Sequence, residues 1–83
     1  MTRIAKLHAR ALANPRSLSF REFERLLEAF GFIHRRTVGS HRHYVHPKVA
    51  EILTVLPEGK DAKGYQVKRF LDMVEENSLS IDD

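Results

Sequence analysis

The 83-residue chain has no cysteine and no tryptophan, and only three prolines and four glycines. Without cysteine it has neither a disulfide framework nor a thiolate zinc site, which leaves the apolar core to hold the fold and fits a reducing compartment. No apolar run approaches the roughly 18 residues of a membrane span, and the N-terminus carries no signal-peptide apolar block, so the expected location is the cytoplasm, with no membrane partner. Carboxylates are missing from one long segment: from Ala29 to Ala50 there are four Lys or Arg, four His and no Asp or Glu. The rest of the chain is charged differently. Residues 1–19 carry four basic and no acidic groups, residues 20–50 six and three, and residues 51–83 four and eight, for a net charge of +3. The acid-free segment sets up a local positive potential that would attract a polyanion. The competing reading is a solvated positive face with no ligand.

What is present is ordinary for a small globular domain: hydrophobic residues make up 42% and charged residues 30%, too apolar a mixture for a disordered chain. A chain of this length forms one domain and buries roughly 60–65% of its unfolded surface, so a deep two-lobed active site is not expected.

Ile4, Leu7, Ala11 and Leu12 recur at helical spacing up to Asn14-Pro15, which predicts a short leading helix. In "LSFREFERLLEAFGF", Ser19 and Glu22 form a capping-box pattern, Leu18 and Phe23 are placed as a hydrophobic staple, and Gly31 suits the left-handed position after a helix. Phe20, Phe23, Leu26, Leu27 and Phe30 share one face of that helix and read as core. Phe32 to Val38 and His41 to His46 read as strands joined by Gly39-Ser40, with glycine first as a type II′ hairpin requires. "EILTVLP" reads as a third strand stopped by Pro57, and Val67, Phe70, Leu71 and Val74 mark a second amphipathic helix. The expected fold is α+β: a three-stranded antiparallel sheet with both helices on one face, the other face open, and a short N-terminal helix added. The expected organisation is a helical extension over residues 1–16, a main domain over 17–78 and an acidic tail over 79–83 that frays.

Strand alternation puts His41 and His43 on one face of the second strand and Arg42, Tyr44 and His46 on the other. An imidazole, which titrates near about 6.5, can move a proton at neutral pH, and such general acid–base catalysis is worth roughly 10² to 10⁴ in rate. On RNA the proton to move is that of the ribose 2′-hydroxyl, whose oxygen then attacks the adjacent phosphate with no external water or metal. Gly39 and Ser40 form a turn that backbone N–H groups and a hydroxyl can present to a phosphate. Arg35, Arg36 and Arg42 are candidates for flanking phosphates. Carboxylates there would repel that substrate. Two-metal cleavage, which needs them as ligands, finds none in this segment.

A metal reading is weaker, because His41 and His43 lack a third ligand on their face, so no metal and no small-molecule cofactor is expected. His43 and His46 also read simply as polar strand surface. Lys60 and Lys63 precede the last helix, where free N–H groups favour an anion, although solvated loop lysines explain them equally well. Tyr65 is placed either to stack on a base or to pack at the helix start.

In order and spacing, "FGFIHRRTVGSHRHYVHP" after a capped helix, followed by "EILTVLPEGKDAKGYQVKRFLDMVEE", resembles the HicA toxin family of bacterial toxin–antitoxin systems. "FGF", "GSH" and "YQVKRFL" carry the likeness most sharply. The resemblance implies a double-stranded-RNA-binding-domain-like α-β-β-β-α fold and a metal-independent mRNA endoribonuclease, a toxin neutralised by a HicB-like antitoxin. It also implies that His41 is the catalytic histidine, with Gly39 and Ser40 shaping its turn. Arg35, Arg36, Arg42, His43, Lys60, Lys63 and Tyr65 are the expected RNA contacts, from their own charge, placement or ring. Two positions depart from the family pattern: Arg42 stands where many members have a second histidine, and Glu58 where many have one after the proline that ends the third strand. A non-catalytic RNA-binding module of the same fold and a protein-interaction domain are the alternatives. The segment before Ser17 reads as a packing helix, an RNA-binding arm or an antitoxin contact.

Overall fold

The computed structural model describes residues 2–81. Helix α1, Arg3–Ala13, starts where the Thr2 hydroxyl accepts a hydrogen bond from the Ala5 N–H at 3.0 Å and stops at Asn14, ahead of Pro15. After α1 comes a single 3₁₀ turn, Pro15–Ser17, capped by the Asn14 side chain. Helix α2, Phe20–Ala29, carries the full capping box: the Ser19 hydroxyl accepts from the Glu22 N–H at 3.1 Å and Glu22 Oε1 accepts from the Ser19 N–H at 2.9 Å. Its far end is a Schellman stop, with the Gly31 N–H donating to the Glu28 carbonyl, the Phe32 N–H to the Leu27 carbonyl, and Gly31 at φ 91°. Phe32 therefore ends the helix instead of opening a strand.

Glu22 also accepts a hydrogen bond from Arg10, so the carboxylate that caps α2 holds α1 against it. Arg10 first, then the Ser19 N–H, hold the Glu22 carboxyl down to about 2 from its ordinary 4.5. Because the folded-state value lies below the unfolded one, the stabilisation is full above about 4.5 and is lost as pH falls toward about 2. Both side chains are partly exposed, so screening keeps the effect near 1 kcal/mol, about that of a helix cap. In urea melts at fixed ionic strength, Glu22→Gln should be less stable than the parent at neutral pH. The gap should close as pH falls through that window.

Strands β1, Ile33–Val38, β2, His41–His46, and β3, Val49–Val55, form an antiparallel sheet in the order β1-β2-β3. Gly39 takes φ 61° at the β1–β2 turn, and Ser40 after it stays out of the positive-φ region, as a type II′ turn requires. Chain order brings two small strands next, β4, Pro57–Glu58, and β5, Asp61–Ala62, a ribbon turned at Gly59. This ribbon is clipped to the start of α2, with the Phe20 N–H donating to the Lys60 carbonyl and the Ala62 N–H to the Leu18 carbonyl. Helix α3, Gly64–Glu76, closes the domain.

The core lies between the sheet and the helices: Phe23, Leu26 and Leu27 of α2, Val67, Phe70 and Met73 of α3, and Tyr44, Leu53 and Val55 of the strands are all buried. Phe70 is its hub, meeting Phe23, Phe30 and Phe32 edge-on at centroid distances of 5.8, 5.4 and 5.7 Å. Helix α1 docks through buried Ala11 and through His8, whose ring lies 5.0 Å from Phe30 and whose pKa is lowered by burial. The tail expected to fray is partly anchored: Leu79 is buried, and its N–H donates to the Val74 carbonyl at 2.9 Å. Asp82 and Asp83, the acidic end of that tail, lie outside the described residues, as does Met1. Among the described residues no helix is long and apolar enough to cross a membrane.

Candidate nucleic-acid interface

Strand pairing decides which side chains share a face. Arg42 pairs with buried Val55 and Tyr44 with buried Leu53, so these two point into the helix-covered side. His41 and His43, offset by one residue, point to the open face. His43 pairs across to Arg36 on β1 and to Thr54 on β3, whose hydroxyl lies 3.0 Å from His43 Nδ1. His41 pairs with Val38 directly after the Gly39-Ser40 turn and is exposed. Arg35 sits at a register shift between His34 and Arg36, exposed on the edge strand. Exposed Ile33, Val38 and Ile52 make this face partly apolar as well as basic.

His41 also stands at one end of a groove of about 530 Å³ between the free edge of β3 and α3. The groove is lined further by Ile52, Thr54, Leu56, Tyr65, Gln66 and Arg69. Tyr65 is 68% exposed, so it does not pack at the helix start, and Lys63 Nζ lies 6.0 Å from its ring centroid. Gln66 is buried and its Oε1 accepts from the Leu56 N–H at 3.0 Å, which ties the end of β3 to α3 and keeps the groove's floor in place. Arg69 is held by Glu51 and Glu76. Gln66 and Arg69 carry no signal of their own in the sequence because they sit inside an ordinary amphipathic helix pattern, and only the edge of β3 gives them a role.

Several candidates lie elsewhere. Arg42 bonds Glu24 at 2.5 Å and its guanidinium sits 5.0 Å over the Phe20 ring, while the Tyr44 hydroxyl donates to the same Glu24 at 2.8 Å. Burial first, then Glu24, pushes the Tyr44 hydroxyl's pKa up, so it remains a donor. Lys60 lines a cleft with Arg42, Phe20 and Glu24, on the helix side of the sheet and not with His41. Lys63 borders a cleft of mixed charge that includes Arg16, Glu58 and Asp61. His34 stacks on Tyr44 at 5.2 Å, also on the helix side. His46 is structural: its Nε2 lies 2.9 Å from the Phe30 carbonyl and its Nδ1 accepts from the Lys48 N–H.

An α-β-β-β-α domain whose helices share one side of a three-stranded sheet, with the other side open, has the double-stranded-RNA-binding-domain-like fold. Within that class the chain belongs to the HicA toxin family of bacterial toxin–antitoxin systems, whose model matches residues 20–74. The match runs from the first residue of α2 into α3 and includes the His41 turn and the groove. Comparisons with curated proteins and with solved structures found no match.

Proposed function

We propose that this toxin is a metal-independent mRNA endoribonuclease in which His41 carries the proton transfers, and that a HicB-like antitoxin neutralises it. The observation that carries this reading is the placement of His41: exposed, beside a glycine turn, at the end of a groove that also holds an exposed tyrosine. In the proposed reaction the His41 ring takes the proton of a ribose 2′-hydroxyl, and the freed oxygen bonds to the adjacent phosphorus. The bond from phosphorus to the 5′-oxygen then breaks, and that oxygen leaves with a proton from the imidazolium or from water. Ser40 and the turn N–H groups face the phosphate, Arg36 and Arg35 neutralise the flanking backbone, and Tyr65 stacks on a base. Arg42 and Lys60 have no part in it, since the ion pair with Glu24 and the helix side of the sheet engage them.

Purified protein incubated in EDTA with an RNA and the DNA of the same sequence should cut only the RNA. Cleavage of both, or cleavage abolished by EDTA and restored by a divalent cation, would overturn the reading. RNA retained without any cleavage would leave a binding module of the same fold. Tyr65→Ala should weaken RNA binding by about 1–3 kcal/mol, the loss of one stacked base. Because that ring is exposed, stability should stay within about 0.5 kcal/mol of the parent. Fluorescence anisotropy and urea melts on the same preparation check both.

A further inference from the structure

The segment ahead of the family match builds a second charged surface. Arg3, Lys6 and Arg10 recur along one face of α1, and Arg25 faces them from α2 across a groove of about 500 Å³ floored by Ile4 and Leu7. The single carboxylate lining this groove, Glu22, is engaged by Arg10 and by the α2 cap. Among the described residues, Arg3, Lys6 and Arg25 form no ion pair. All three are exposed. Four cations around one groove, with its one anion already matched, attract a chain of negative charges far better than a single ion or an apolar partner. The lining carries no aromatic ring on which a base could stack, so what it offers a nucleic acid is backbone contact without sequence readout.

We infer that the α1–α2 groove is a second RNA-binding surface, one that grips phosphates of the substrate strand outside the His41 groove. The inference rests on RNA being the ligand of the His41 site. Helix α1 packs mainly on α2 and the 3₁₀ turn, on the helix layer rather than on the open sheet face. A strand must therefore extend round the domain to occupy both surfaces, and short oligonucleotides reach only one. The N-terminal extension then acts as an affinity arm added to the family domain, with no part in the bond-breaking steps.

The test uses the full chain carrying His41→Ala, so that RNA stays intact, and a labelled single-stranded RNA longer than the ~4–16 nucleotides a small domain covers. In that background Arg3→Gln, Lys6→Gln and Arg25→Gln are combined. Arg10 is kept, because it holds Glu22 and the docking of α1. A control carries Lys48→Gln and Lys68→Gln, which lower net charge away from the groove. Removing three phosphate contacts should reduce the slope of log affinity against log salt by about 2, while the control changes it less and the melting temperatures of all the proteins agree. If the triple variant keeps the parent's slope and affinity while the parent binds RNA, the second surface is refuted and the His41 reading stands. A parent that retains no RNA overturns both. Unchanged RNA binding together with lost binding of an acidic antitoxin would refute the second surface and give the groove to a protein partner instead.

Discussion

Alanine in place of His41 is expected to slow RNA cleavage by a factor of about 10² to 10⁴, the usual worth of a positioned general acid–base. The loss should appear under single-turnover conditions with saturating protein, because the groove that holds the strand is otherwise unchanged. RNA affinity should stay close to the parent's, and stability within about 0.5 kcal/mol, since an exposed side chain after a turn supports little packing. His43→Ala provides the contrast. Its ring faces the same side but is half-buried against the Thr54 hydroxyl, so its removal should cost less cleavage and more stability than the His41 change. Equal cleavage losses for the two variants would mean that the histidines act as a pair.

Phe70→Ala is expected to destabilise the domain by about 3–5 kcal/mol. The ring is fully buried and meets three other phenylalanines, from α2, its C-terminal cap and the residue after Gly31, so no neighbour can collapse into the space without giving up contacts of its own. Small domains have only about 5–15 kcal/mol of stability in all. The variant should therefore lose a large share of its stability, visible as a clear fall in the urea midpoint. A shift of about 1 kcal/mol or less would mean that the aromatic cluster is looser than these centroid distances imply. Leu71→Ala, at a half-buried position on the same helix, should cost clearly less.

The features legible in the sequence were those decided within a few residues. Ser19 with Glu22, Gly31 after α2, and glycine first in the hairpin turn each complete their interaction locally, and each is found in place, while Leu18 and Phe23, spaced for a staple, are both buried. Alternation along β2 likewise separates His41 and His43 from Arg42 and Tyr44, as the strand pairing does. The rest depends on residues far apart in the chain. Whether Arg42 is free for RNA turns on Glu24, eighteen positions away, and composition alone cannot show that the two meet. The β4–β5 ribbon leaves no pattern in the sequence, because each of its strands has two residues and the ribbon is tied by backbone hydrogen bonds to Leu18 and Phe20 at the start of α2. Leu79 falls in the stretch that reads as an acidic tail, and only its place in the core cluster shows that it is buried. The candidate site was legible as a histidine and a turn. Its opposite wall, Gln66 and Arg69 with Tyr65, needed the position of α3 against the edge of β3.

Attack by the 2′-oxygen leaves a chemical signature on the fragments, so the ends of a cleaved RNA are the most direct test of a histidine acting on the ribose. The upstream fragment should end in a 2′,3′-cyclic phosphate and the downstream fragment should begin with a 5′-hydroxyl, as mass spectrometry of a short synthetic substrate would read. A 5′-phosphate on the downstream fragment would show that water attacked the phosphorus and would contradict the role given to His41.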